Sequence, residues 1–324
     1  MSIRLTEAVD VLRAAGEPSR LRIVALLARE ELAVMELCQI MDQSQPRVSR
    51  HLRLLTASGL VERFPDGGWV FYRLAAEPGR RAILDRVLLE VDDKDAGLAR
   101  DRERLVAVRS ERAEKAQAYF ERNAPLWDEL RSLYVSEADV EAAIVAAAPE
   151  APIRCLIDLG TGAGRMLTLL APRAQSAVGL DLSQQMLNVA RLRAAEAGLV
   201  HCELRHGDIF ATGLPDRMAD LVVVHQVLHY LGDPAAAVEE AARLVAPGGR
   251  LLIIDFAPHA LEYLREAHQH RRLGFPDEEM ARWLAAAGLK RPRIATLPAR
   301  TPQGLTVKIW AADRKGGGAA ATAP

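Results

Sequence analysis

Leu156-Ile157-Asp158-Leu159-Gly160-Thr161-Gly162-Ala163-Gly164-Arg165 decides the fold of the second half of this chain. An apolar run ends on an acid, and three glycines follow, each separated by one residue. A strand entering such a turn lets backbone approach a nucleotide-like ligand, because glycine has no Cβ to hold the ligand off. Seventeen residues after Gly164 a second apolar run, Ala177-Val178-Gly179-Leu180, ends in Asp181, placed to take ribose hydroxyls. Strand and helix patterns alternate from about 117 to 313, which predicts a doubly wound, Rossmann-like α/β sheet that binds an adenosine cofactor.

The pattern upstream is different. Leu5, Val9 and Leu12 make one helical stripe, and Pro18-Ser19 opens a second helix. After a short helix over Ala33 to Ile40, Ser44 reads as an N-cap with Pro46 in the first turn, where its missing N–H costs nothing. The helix that follows points Val48, Leu52 and Leu55 inward at i, i+4 and i+7. Gln45, Arg47, Ser49, Arg50 and Arg53 are left on the outer face, as a helix lying in a DNA major groove requires. Gly59 ends it, and Leu60 to Phe64 and Trp69 to Leu74 alternate around Pro65-Asp66-Gly67-Gly68 as a β-hairpin. Helix-turn-helix plus hairpin predicts an α+β winged helix. Between Ser44 and Arg73, Arg47, Arg50, Arg53, Arg63 and Arg73 face only Glu62 and Asp66, a local excess of +3 in a chain of net charge −1. Such a patch could be an ordinary solvated face, but helix, turn and wing agree on double-stranded DNA. The expected DNA contacts are Ser44, Gln45, Arg47, Ser49, Arg50, His51 and Arg53 from the helix, with Trp69, Tyr72 and Arg73 from the wing.

With 324 residues the chain has room for both units, so a multidomain protein is expected. The winged helix takes residues 1–90, a charged connecting helix 91–116, the α/β unit 117–313 and a disordered Gly/Ala-rich tail 314–324. Mixed charge at helical spacing, such as Glu111 with Lys115, predicts that the connecting helix is solvated. Cys38, Cys155 and Cys202 are too scattered for a disulfide framework or a CxxC metal knuckle. No apolar signal core follows the N-terminus and no run reaches membrane-span length, so a cytoplasmic protein without membrane contact or bound metal is expected.

The N-terminal residues Glu36-Leu37-Cys38, Gln45-Pro46-Arg47-Val48-Ser49-Arg50-His51-Leu52 and Gly67-Gly68-Trp69-Val70-Phe71-Tyr72-Arg73-Leu74 resemble the arsenic-repressor (ArsR/SmtB) family of winged-helix regulators over about residues 5 to 90. The resemblance implies a homodimer joined by the first and last helices of the module, bound to a partly palindromic operator. Metal-sensing members carry two cysteines, two apart, where this chain has Cys38 and Ile40, so metal sensing there is not expected. The second unit resembles class I S-adenosylmethionine-dependent methyltransferases, notably the ubiquinone-biosynthesis-like branch. The glycine loop, Asp181-Leu182-Ser183-Gln184-Gln185-Met186-Leu187, Gly207-Asp208-Ile209, Leu244-Val245-Ala246-Pro247-Gly248-Gly249 and Tyr119-Phe120 to Trp127-Asp128 carry that likeness. It implies S-adenosyl-L-methionine as cofactor. Asp158, Gly160, Gly162 and Gly164 would serve its methionyl part and Asp181 the ribose hydroxyls, with Thr161, Leu182 and Met186 also in the cofactor site. Asp208 and Ile209 would take the adenine, and Tyr119 to Asp128 would form a lid.

Seven of the eight histidines lie between 201 and 270. His225 and His229 follow the fourth strand, His259 the fifth, and His268 and His270 sit on the next helix. In an open α/β sheet the carboxyl ends of strands hold the ligand, so His225 and His229 are the candidate catalytic residues, with His225 also near the cofactor. Cys155 and Cys202 start their strands, away from that edge, which argues against arsenite as acceptor. The combined reading is a DNA-binding regulator whose second domain methylates a small molecule or senses the cofactor and its demethylated product. The alternative is a small-molecule methyltransferase whose winged helix mainly dimerises.

Overall fold

The computed structural model describes residues 3–66, 69–75, 77–92, 94–123, 137–299 and 304–316. The chain divides into two compact units, Met1–Glu114 and Lys115–Pro324. The Gly67-Gly68 turn, the Trp69 side chain, residues 124–128 of the predicted lid with the side chains of 119–123, the Lys115 side chain and all but the first three residues of the predicted tail lie outside the described residues.

The first unit begins with helices α1 (Leu5–Ala15) and α2 (Pro18–Leu27). A two-residue strand β1 (Leu32–Ala33), α3 (Val34–Met41) and α4 (Gln45–Ala57) follow. Strands β2 (Val61–Asp66) and β3 (Trp69–Leu74) form the hairpin, and α5 (Pro78–Glu90) and α6 (Ala96–Asn123), the latter belonging to this unit up to Glu114, complete the series. The hairpin pairs antiparallel, and β3 also pairs β1, giving the sheet order β1-β3-β2. Val48, Leu52 and Leu55 of α4 are all at 0% exposure and pack with Ile23, Leu37, Ile40 and Leu60, so the predicted inward face is the observed one.

Two expectations for this unit change. The stripe of Leu5 and Leu12 is 82% and 53% exposed, and α1 instead buries Val11 and Ala15. Nor is α6 solvated throughout. Leu105 and Val108 are buried in the winged-helix core, and the buried Asp101 receives Arg22 Nε and Nη2 at 2.6 and 2.5 Å. Arg104 donates to the Ile40 carbonyl and to Asp42, and Arg109 to the buried Glu30. Charge at helical spacing therefore marks an ion-paired docking face here, because its partners come from elements distant in sequence.

The second unit opens with α7 (Glu137–Ala147) and then alternates: β4 (Ile153–Leu159), α8 (Arg165–Leu170), β5 (Ala174–Asp181), α9 (Gln184–Glu196) and β6 (Cys202–His206). Strand β7 (Ala219–His225), α10 (Pro234–Leu244), β8 (Val245–Phe256), α11 (Tyr263–His268), α12 (Asp277–Ala286), β9 (Arg293–Leu297) and β10 (Val307–Asp313) follow. The sheet order is β6-β5-β4-β7-β8-β10-β9. The first five strands run parallel, and β10 is antiparallel to both its neighbours. Ile157, Leu159, Val222, Val224 and Ile253 pack in one layer; Leu156, Leu221, Val223, Leu252 and Ile254 pack in another. With helices on both faces, the strands read as continuous apolar runs. The order reverses between β4 and β7, and a crevice opens at the carboxyl ends of strands at such a point.

Candidate functional site

Five neighbouring strands deliver the candidate groups to one edge of the sheet. In sheet order these are Asp208 just beyond β6, Asp181 ending β5, the glycine loop beyond β4, His225 ending β7, and Asp255 near the end of β8. The glycine loop is built by its own hydrogen bonds. Gly160 and Thr161 N–H donate to the Leu180 carbonyl at 2.8 and 3.0 Å, which ties the turn to the neighbouring strand. Buried Asp158 accepts the Thr161 hydroxyl at 2.6 Å. Asp181 Oδ2 accepts from Gly162 N–H and Oδ1 from Ser183 N–H, both at 2.8 Å. Ser183 in turn caps α9, its hydroxyl accepting from Met186 N–H at 3.3 Å. Burial pushes the Asp181 carboxyl above its usual range against the pull of those N–H groups, so further donors at its oxygens favour the ionised form.

Gly160 has φ +70°, and a Cβ there would lie 2.4 Å from Val227 Cγ2. Val227 belongs to the turn after β7, so this contact sets the two sides of the crevice against each other. Gly160→Ala is expected to lower stability by about 1–2 kcal/mol from the left-handed backbone, with more from the collision. A thermal melt beside the wild type checks this, and an unchanged melting temperature would show that the loop yields.

Met186 lies beneath the loop, buried with Ala163, and supports the turn from below. Leu182 is exposed at the crevice edge. Ile209 is buried, while Asp208 is exposed and uses Oδ1 to accept the Phe210 N–H at 2.9 Å. Phe210, 40% exposed beside it, was not singled out from sequence; an aromatic residue directly after Gly-Asp-Ile was the available signal.

The two candidate catalytic histidines differ in setting. His225 is half-buried at the end of β7, whereas His229 is 1% exposed in a single turn, Leu228–Tyr230. His229 Nδ1 lies 2.8 Å from Asp255 Oδ1, which also accepts Phe256 N–H at 2.8 Å. Asp255 is fully buried, and its role was invisible in sequence because the two residues belong to different strand ends. His270 follows α11 rather than lying on it.

In the winged helix, Ser44, Gln45, Arg47, Arg50 and Arg53 are exposed and Ser49 half-buried. Ser44 holds the N-cap position, but its side chain makes no cap bond; its carbonyl accepts from Arg47 and Val48 N–H. His51 turns inward, with Nδ1 3.5 Å from Glu17, and burial lowers its pKa. Tyr72 packs on the core, and Arg73 is paired with Glu62 at 2.9 Å and Glu31 at 3.3 Å beneath the Phe64 ring. The wing therefore presents less free positive charge than its sequence suggests, and the patch concentrates on α4.

All three thiols are half-buried, and burial raises each of their pKa values. The described residues contain no cluster of ligands able to hold a metal ion and no helix long and apolar enough to cross a membrane.

Comparison with known proteins agrees with this geometry. The family model for bacterial regulatory proteins of the arsR family matches residues 17–63, and that for a methyltransferase domain matches 157–253. The demethylmenaquinone methyltransferase of Thermus thermophilus is 35% identical over 144 residues, 43% of this chain and 64% of that protein. The uncharacterized methyltransferase YcgJ of Bacillus subtilis is 29% identical over 140 residues, 43% of this chain and 54% of that protein. The chain thus spans between about half and two-thirds of the length of these curated relatives. The N-methyltransferase NodS of Bradyrhizobium japonicum, solved with S-adenosyl-L-homocysteine, matches in fold with TM-score 0.52 at 18% identity, over 61% of this chain and 98% of that one. The chain carries a helix-turn-helix region of the bacterial arsR regulatory family, followed by a methyltransferase domain on a mostly parallel seven-stranded sheet.

Proposed function

We propose that the second unit binds S-adenosyl-L-methionine and transfers its methyl group to a small molecule, and that the first unit binds operator DNA as part of a homodimer. The observation that carries the reading is the loop at Gly160, held against Val227 and anchored to Asp181 through Gly162. A side chain at Gly160 would collide with Val227, so only glycine lets the turn close this tightly beside Asp181. Asp158, Gly160, Thr161, Gly162 and Gly164 hold the methionyl part, Asp181 and Leu182 the ribose, and Asp208 and Ile209 the adenine, with Met186 supporting from beneath. The cofactor supplies an electrophilic methyl on a sulfonium. His225 and His229 face the acceptor side.

Exposed Arg47, Arg50 and Arg53 on α4 support DNA binding over a purely dimerising winged helix. Leu5 and Leu12 on α1 and Leu89 on α5 are large exposed apolar side chains on two helices that pack together, which supports a dimer face there. Operator binding supports a cytoplasmic location for the protein.

The deciding experiment titrates operator DNA with and without S-adenosylmethionine and S-adenosylhomocysteine, alongside calorimetry of each nucleoside. Heat on mixing is expected. If the sites are coupled, each ligand shifts the other's affinity by the same factor. Absence of heat with either nucleoside would sink the cofactor reading; heat without any shift in operator affinity would leave a tethered enzyme and remove the sensor.

A further inference from the structure

Two arginines close the C-terminal end of α3, and one of them comes from α6. The last carbonyls of a helix have no partner inside it, and a cation there also meets the negative end of the helix dipole. Arg104 Nη1 donates to the Ile40 carbonyl at 3.2 Å, and Arg22 Nη2 donates to the Met41 carbonyl at 3.3 Å. Arg22 belongs to α2, yet α6 aims it: its Nε and Nη2 both donate to the buried carboxylate of Asp101. Met41 ends α3, and Asp42, Gln43 and Ser44 then turn the chain into α4. Asp42 holds φ +54°, a region that residues with a Cβ rarely enter, and its Oδ2 accepts from Arg104 Nη2 at 3.2 Å. The Asp42 and Gln43 N–H groups both donate to the Cys38 carbonyl. The turn that sets the direction of α4 is therefore held from outside by one face of α6.

That face is built to part. Asp101, Leu105 and Val108 recur at i, i+4 and i+7, and among the described residues Leu105 and Val108 are the only fully buried apolar side chains of α6. The rest of the contact is charged: Asp101 on Arg22, Arg104 on Asp42, and Arg109 on the buried Glu30. An ion pair taken out of water gives up hydration that offsets much of its attraction, so it fixes geometry more than it adds stability. On release these groups regain water, and little apolar surface is laid bare. Elements with few buried apolar contacts are the ones that open below the cost of global unfolding. Val48, Leu52 and Leu55 tie α4 to the core far more firmly. Helix α6 also continues to Asn123, past Glu114 where the first unit ends, so the helix that holds the turn is the chain's path out of this unit.

We propose that α6 is a releasable clamp on the helix-turn-helix, and that affinity for duplex DNA depends on its being docked. The proposal rests on the DNA-binding reading of the first unit above. Docked, Asp101 and Arg104 are positioning residues: they hold the α3–α4 turn and with it the direction in which Arg47, Arg50 and Arg53 point. Released, α4 stays folded on its buried face, but the turn no longer fixes its direction. Only the docked fraction then binds with full affinity, and the apparent dissociation constant rises as that fraction falls. A duplex that selects the docked form keeps all its phosphate contacts, so the salt dependence is unchanged. The sign of the effect separates the clamp from plain electrostatics. Neutralising an acid makes this unit more positive, which by itself raises affinity for a polyanion. The clamp requires the opposite.

The test uses the full chain and a random-sequence duplex. Asp101→Asn keeps the shape of one anchor and removes its charge, and Glu30→Gln does the same at the anchor that holds Arg109. Each variant is expected to bind the duplex about fivefold or more weakly, the factor by which its docked fraction has fallen. The slope of log affinity against log salt should match the wild type, because no phosphate contact is lost. Unchanged or higher affinity in either variant overturns the proposal, and so does a reduced slope. Hydrogen exchange read by mass spectrometry tests release directly. In the free wild type, residues 98–109 should exchange about tenfold or more faster than residues 48–55, and saturating duplex should slow them about fivefold or more. Exchange of both segments at one rate would make α6 part of the global core and overturns the clamp. If a variant fails to fold, the wild-type exchange decides, and a rate for 98–109 that duplex leaves unchanged overturns it. A wild type that does not bind the duplex at all would instead be failure of the DNA-binding reading.

Discussion

Asp181→Ala is expected to weaken S-adenosylhomocysteine binding roughly a hundredfold or more in calorimetry, with the circular dichroism spectrum of the fold retained. Its two carboxylate oxygens each hold a loop N–H at 2.8 Å, one from Gly162 and one from Ser183. Hydrogen bonds to a charged group contribute about 1.5–3 kcal/mol each, and the ribose hydroxyls would add to these at the remaining lone pairs. Removing the carboxylate therefore loosens the loop and deletes the proposed ribose acceptor together. Asp181→Asn keeps the volume but must turn an NH2 toward a backbone donor or toward the ligand, so an intermediate loss is expected. Affinity within threefold of wild type in the alanine variant would refute the ribose role.

The second large effect concerns DNA. Arg50→Ala combined with Arg53→Ala should lower duplex affinity about tenfold or more at moderate salt. It should also reduce the slope of log affinity against log salt by about two per protomer, since each neutralised phosphate contributes about 0.9. A random-sequence duplex suffices, because this term is independent of sequence. Arg73→Ala is the informative contrast. Its guanidinium is already paired with Glu62 and Glu31, so the slope should barely move. An unchanged slope in the double variant would mean that α4 does not face the phosphates.

Legibility followed the distance over which each feature is made. The glycine loop and Asp181 were readable because strand, turn and helix are consecutive, and the loop is closed by residues within about twenty-five positions. The inward face of α4 was readable from helical period, since Val48, Leu52 and Leu55 need only one turn each to align. The stripe of Leu5 and Leu12 had the same period, yet it faces outward in the single chain. Periodicity identifies an apolar face and does not say what covers it. His51 and Arg73 read as DNA contacts from composition; Glu17, Glu31 and Glu62, placed by tertiary packing, draw them into the domain's own interactions.

Local pattern alone determined that this chain holds a helix-turn-helix and a strand that ends in a glycine turn, because both are set by bonds along one short stretch of backbone. Pairing of β7 with β8 brought His229 to Asp255, 26 positions away, and folding of α6 onto Arg22 turned a seemingly solvated helix into part of the winged-helix core. These partnerships are tertiary because parallel strands and docked helices join residues whose spacing in the chain carries no period. What they decide is the chemistry: which imidazole is paired with a carboxylate, and which arginines keep a free charge.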